Sequence, residues 1–192
     1  PRPRGASWTN ASVLPAIREY AVAVAKGQSG VGSWGHGMAW TGLNGGRLHG
    51  SLGGYGALNQ AGIICFMALA LAKECGVKDP EVDAAIARAT KFFGFYINRG
   101  SIPYGDHEPY YDHDDNGKCS SGAVVFDLLG NKEAATFFSR MAVASWSVRE
   151  GGHTGNFFSF LWGALGAARA GQDAVAGEDA AWVDQVTWTP GM

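Results

Sequence analysis

Two kinds of helical pattern alternate along this chain, and that alternation restricts how it can fold more than any other feature. Ser12 to Lys26 carries Val13, Ile17, Ala21 and Val24 at i, i+4, i+8 and i+11, ahead of a Gly27-Gln28-Ser29-Gly30 stop, which is the spacing of an amphipathic helix. A second amphipathic helix begins at Asp79. That residue suits a cap, Pro80 suits the first helical position, Glu81 and Asp83 complement the dipole, and Gly100 ends the run. Its apolar face is Val82, Ile86, Ala89, Phe93 and Ile97. A third starts at Asn131 and carries Phe137, Phe138, Met141 and Trp146. Between them lie Ala57 to Cys75, Ser120 to Leu129 and Gly155 to Ala170, apolar almost all round, as buried helices are. Outer helices wrapped around an inner layer produce this order.

The inner segments align with one another without gaps. Asn59-Gln-Ala-Gly-Ile-Ile-Cys-Phe, Cys119-Ser-Ser-Gly-Ala-Val-Val-Phe and Asn156-Phe-Phe-Ser-Phe-Leu-Trp-Gly share a polar first residue, a small fourth one and apolar residues after it. Each follows a Gly-rich loop holding a histidine: His36 in Ser33-Trp-Gly-His, His107 in Pro103-Tyr-Gly-Asp-His, and His153 in Glu150-Gly-Gly-His. If the segments are repeats, the three loops emerge at one end of the bundle and the histidines converge there. The fold expected is therefore all-α, with helical hairpins over about 12–171 forming a partial α/α toroid in one domain, and a tail over 172–192.

At 192 residues with 46% apolar content the chain fits one domain with a real core. A net charge of -2 without a basic run argues against a nucleic-acid partner, and the longest strongly apolar stretch, Ile63 to Ala72, is too short to span a bilayer. Three cysteines make no disulfide scaffold; Cys65 and Cys75 read as buried structural thiols in or at the end of an apolar helix. The opening Pro1-Arg-Pro-Arg lacks an initiator Met, so a removed leader, with secretion or a periplasmic location, is compatible with the sequence.

Chemistry is concentrated between Asp106 and Asp115, where seven of ten residues bind protons or metals in a chain with only 17% charged residues. Five carboxylates this close repel one another unless a cation or basic partner neutralises them. Asp112, Asp114 and Asn116, followed by Gly117, copy the first half of a calcium loop, but the twelfth position is Ala123 rather than Glu. The loops also carry the aromatics Trp34, Trp40, Tyr55, Tyr104, Tyr110 and Tyr111. His107 with Tyr110, or Asp106 with Glu108, is a pair suited to proton transfer. Any one of these aromatics otherwise serves as a staple between a Gly-rich loop and a helix end.

Tyr104-Gly-Asp-His107, Asn116-Gly-Lys118 and Gly152-His-Thr-Gly-Asn-Phe-Phe-Ser-Phe-Leu-Trp-Gly163 resemble the α/α-toroid superfamily of terpenoid cyclases and protein prenyltransferase β subunits, and more closely a little-characterised bacterial branch of it. The resemblance covers roughly 30–171 and speaks to fold more than to activity. It implies three kinds of site. Asp112-His113-Asp114-Asp115 matches the acid motif of class II cyclases, which places the proton donor at Asp114. Prenyltransferase-like zinc ligands would be Asp115, Cys119 and His153, with the family's Asp-x-Cys spacing broken here. Toroid polysaccharide lyases and hydrolases suggest catalysis by His107, Tyr110, Asp114 and His153, with His36, Trp34, Tyr104, Asp106, Asn116, Lys118 and Asn156 facing the ligand. A non-catalytic scaffold is the alternative from another class. Toroids close with more hairpins than the three visible here, so a homo-oligomer or partner chain is expected against the inner-helix flanks, near Trp182 to Trp188.

Overall fold

A computed structural model describes residues 13–38, 56–109, 117–145 and 156–170. They form six helices and no strand, so the protein is all-α as expected: α1 (Val13–Lys26), α2 (Asn59–Glu74), α3 (Pro80–Gly94), α4 (Lys118–Leu128), α5 (Lys132–Ala144) and α6 (Asn156–Ala167), the last extended by a 3-10 turn, Ala168–Ala170. No helix among these residues is long and apolar enough to cross a membrane.

Local chemistry sets the helix ends. Helix α2 stops where Gly76 takes φ 95, letting the Gly76 N–H reach Lys73 O at 2.8 Å and the Val77 N–H reach Ala72 O at 3.0 Å. Helix α4 stops the same way: Gly130 has φ 77, its N–H bonds Asp127 O at 3.0 Å and the Asn131 N–H bonds Phe126 O at 2.9 Å. Both are Schellman motifs, which need a residue able to adopt positive φ. The next helix starts at once. The Asp79 carboxylate accepts from Glu81 N–H at 3.0 Å and Asn131 Oδ1 from Ala134 N–H at 3.1 Å, satisfying otherwise orphaned donors. Asp79 and Asn131 are thus the helix starts anticipated, and Gly76 directly follows the end expected at Cys75. Helix α3 differs from expectation, since it ends at Gly94 instead of Gly100. Residues 95–99 tighten into i→i−3 turns, from Phe95 N–H to Phe92 O through Arg99 N–H to Tyr96 O, and Asn98 at φ 60 breaks the helical path.

Of the three helices expected to be buried, α2 and α4 are, whereas α6 is not: Phe160, Leu161 and Leu165 on it are about half exposed. In α4 every residue from Lys118 to Phe126 is buried, and the helix packs on α2, α5 and α6. Asn59 N–H bonds Tyr104 O at 2.8 Å, and Ile102 N–H points at Cys119 Sγ, 3.4 Å away, so α2 and α4 begin at the same short segment. The backbone of Gly117 lies so close to Phe158 that a Cβ there would sit 2.6 Å from the Phe158 carbonyl. The inner helices therefore start side by side. Phe66 of α2 stacks on Phe93 of α3 at 5.7 Å, Phe126 of α4 stacks on Phe138 of α5 at 5.5 Å, and Phe66 meets Phe126 edge-on at 5.8 Å. All four rings are fully buried, and truncating any one to Ala costs roughly 3–5 kcal/mol.

In two of the three aligned segments the small fourth residue has a packing reason. A Cβ on Gly62 would meet Ser33 Oγ at 2.2 Å and Phe93 at 3.3 Å, and one on Gly122 would meet Ile102 at 3.2 Å and Phe138 at 3.4 Å. In both cases the glycine faces the loop before its own helix and the phenylalanine of the helix after it.

Candidate functional site

Two of the Gly-rich loops meet at the start of α2, and one side chain joins them. Asn59, fully buried, donates from Nδ2 to Pro103 O at 3.1 Å and to Gly105 O at 2.6 Å, and accepts at Oδ1 from Ser33 Oγ at 3.2 Å. Leu58 N–H bonds Trp34 O at 2.7 Å and pairs with Gly105 in an isolated antiparallel bridge. The loops of His36 and His107 therefore share one end of the bundle; the third loop expected there, that of His153, lies outside the described residues.

Gln60, the next residue, contrasts sharply with Asn59. It is only 5% exposed, yet neither its amide oxygen nor its amide nitrogen has a hydrogen-bond partner among the described residues. Burying an amide unpaired costs a few kcal/mol at most sites. Ser159 Oγ and Trp162 Nε1 on α6 are likewise buried without partners among the described residues.

The cleft itself lies between the His107 loop and α3. Arg88, Lys91, Phe92, Phe95 and Tyr96 form one wall, Asp106, His107 and Glu108 the other, and Gly30 with Val31 close one end, around a volume of ≈ 510 Å³. That is within the range of small-molecule sites. Gly32, at φ 103, presses the 30–31 loop onto α3 so tightly that a Cβ would stand 2.5 Å from Arg88 O. His107 is held at its backbone, where its carbonyl accepts from Tyr96 Oη at 3.3 Å. Its ring lies over Gly105, where a Cβ would approach Nε2 to 2.8 Å. Phe95 is 46% exposed and carries the Arg99 guanidinium 4.1 Å above its ring centre. A histidine between two carboxylates, across from an exposed aromatic ring, can move protons on a ligand with both polar and C–H surfaces.

The residues anticipated as a site divide into groups. His107 and Asp106 line the cleft. His36 is exposed and Tyr104 half-buried, close to α2 but not among the cleft's lining residues. Trp34 is 1% exposed and its indole N–H is spent on Val24 O at 2.8 Å, so its ring is a staple beneath the loop and offers no face to a ligand. Lys118 is 1% exposed, and Asn156 opens α6. Of the zinc set only Cys119 is described, fully buried beside Ile102 N–H. Tyr110, Asp112, Asp114, Asp115, Asn116 and His153 lie outside the described residues, as does the Trp182 to Trp188 tail. Among the described residues no group of three His, Cys, Asp or Glu side chains is placed to hold a metal.

Sequence reasoning missed the α3 wall. Its signal was there: Phe92 and Phe95 fall off the apolar face defined by Val82, Ile86, Ala89, Phe93 and Ile97, and an aromatic residue on the solvent side of an amphipathic helix calls for a use.

One family description, a domain of unknown function (DUF6288), matches residues 8–191. Neither the curated proteins nor the solved structures gave a match.

Proposed function

Because the chain belongs to the DUF6288 family, a domain of unknown function, its own residues must carry the assignment, and we propose a ligand-binding or catalytic α/α-toroid domain that takes a glycan or similarly polar substrate. The observation that carries this reading is the cleft in which His107, Asp106 and Glu108 face Phe95 and Phe92 across ≈ 510 Å³. Sugars present C–H faces for aromatic rings and hydroxyls for carboxylates and imidazole. If the domain is an enzyme, His107 is the proton-transfer group, in a lyase or hydrolase reaction.

The toroid part of the proposal rests on the paired features of α2–α3 and α4–α5. The Schellman ends, the Gly62 and Gly122 contacts, and the stacked Phe66–Phe93 and Phe126–Phe138 pairs support diverged copies of one hairpin. A test of function is affinity electrophoresis through gels containing soluble polysaccharides, beside assays for released reducing ends and unsaturated products. We expect retardation by at least one acidic or neutral glycan, weakened about tenfold or more (~1.4 kcal/mol) by Phe95→Ala and, for any turnover, abolished by His107→Ala. Unchanged mobility in every polysaccharide, with no product formed, would refute the glycan reading.

A second reading, an assembly domain, is favoured by α6. Phe160, Leu161 and Leu165 are 53%, 50% and 48% exposed, an apolar stripe of the kind that oligomers or partner chains cover. Light scattering tests it, since a stable monomer at micromolar concentration would rule out an obligate homo-oligomer.

A further inference from the structure

We infer that the α3 wall of the cleft is a preorganised anion-binding position, formed by Arg88 and Lys91 and held by Gln28, which receives a phosphate, sulfate or carboxylate group carried by the ligand. The inference rests on reading the cleft as a ligand site and adds the chemistry of one end of that ligand.

Gln28 is the reason to single out these cations. It is 6% exposed, and its side-chain amide is fully committed: Nε2 donates to Gly32 O at 3.0 Å and to Ala85 O at 2.9 Å, while Oε1 accepts from Arg88 Nε at 2.7 Å. A buried amide thus ties the 30–32 loop to α3 and, with its remaining acceptor, fixes the guanidinium of an exposed arginine. Solubility alone needs no such anchor. Fixing a guanidinium through Nε leaves its two terminal nitrogens as a planar fork, the geometry that matches an oxyanion.

Lys91 stands one turn further along the same helix and lines the same cleft. Like charges at i and i+3 repel, and neither Arg88 nor Lys91 pairs with a carboxylate among the described residues. The ion pairs among the described residues lie elsewhere: Arg18 with Asp79, Lys73 with Asp83, and Lys132 and Arg169 with Asp127. In the cleft Glu108 shares the space with Arg88 and Lys91 without joining them. An oxyanion between Arg88 and Lys91 relieves their repulsion, and Glu108 is left to accept hydroxyl or ammonium donors from the rest of the ligand. The chain's net charge of -2 means that anion attraction here is local to these side chains and not a property of the whole surface.

The test titrates inorganic phosphate, and separately sulfate, against chloride at constant ionic strength, followed by NMR shifts of backbone amides and arginine Nε–H signals. Saturable shifts confined to Gly30, Val31, Arg88, Lys91 and their neighbours are expected. Arg88→Lys keeps the charge but loses the fork and the bond to Gln28, and is expected to weaken phosphate about tenfold or more; Lys91→Met should weaken it several-fold. Gln28→Leu should release the Arg88 Nε–H signal and weaken phosphate while both charges remain. Non-saturating shifts spread over the surface, or an Arg88→Lys variant that binds as the parent does, would overturn the inference. Phosphate binding beside universal failure of glycans would overturn the glycan reading and leave the anion position standing. Glycan binding indifferent to Arg88→Lys and Lys91→Met would do the reverse. Phosphorylated, sulfated and carboxylated sugars, compared at equal concentration, identify which anion the position takes.

Discussion

The closest backbone approach between inner helices offers a direct measurement. Gly166 of α6 lies against Ser120 of α4, where an added Cβ would stand 2.5 Å from Ser120 Cα and 2.7 Å from its Cβ. Ordinary contact begins near 3.4 Å, so Gly166→Ala drives the helices apart by about 0.9 Å or bends α6. Overpacking of this size costs roughly 1–3 kcal/mol, partly offset by about 1 kcal/mol from replacing a helical glycine with alanine. Gly163 is the internal control, because it lies in the same helix and a Cβ there meets nothing within 4 Å. Gly163→Ala should therefore keep the propensity gain and raise stability by up to ~1 kcal/mol. The two variants should differ by about 1–3 kcal/mol, several degrees in Tm for a chain of this size, with Gly166→Ala the less stable. Urea and thermal unfolding followed by circular dichroism measure the difference. Equal effects of the two substitutions would show that α6 does not pack on Ser120, and the order of the inner helices would have to be redrawn.

Three further outcomes are expected. Burial alone would raise the Asp79 carboxyl, but the Glu81 N–H and the Arg18 guanidinium outweigh it and hold it below its ordinary 3.8; a lowered native pKa adds stability that is complete above the ordinary value and lost as pH falls through the native one. Asp79→Asn, which keeps a capping side chain but not the charge, should therefore be less stable than the parent at pH 6 in denaturant titrations, by a margin that shrinks as the pH falls below the ordinary carboxylate value. Gln60→Leu removes an unpaired buried amide and should stabilise the ligand-free protein by about 1–3 kcal/mol, whereas destabilisation would mean that the amide is satisfied after all. Burial pushes the Cys65 thiol up to about 11, so at pH 8 a maleimide should label exposed Cys75 and leave Cys65 unmodified in the folded protein, as peptide mass mapping would show.

What the sequence determined by itself was the kind, number and order of the helices. Amphipathic and all-round apolar periodicities are local properties, and so are the caps at Asp79 and Asn131 and the left-handed glycines 76 and 130, because they involve groups a few residues apart. The convergence of two histidine loops was also legible, through the alignment of Asn59 with Cys119 and of Gly62 with Gly122. Local pattern failed where a contact joined distant segments. Trp34 looked like a loop aromatic open to ligand, but its indole N–H reaches back to Val24 O, and the ring is buried beneath its own loop. The α3 wall escaped notice because Arg88, Lys91, Phe92 and Phe95 become a site only when Gly32 brings the 30–31 loop against them and the 106–108 loop closes the other side. Gln28 read as part of a helix stop; in the folded protein it links a loop, a helix and an arginine up to sixty residues away in sequence. Spacing along the chain reports which residues share a helix face. It carries no information about what packs opposite that face, which only tertiary structure decides.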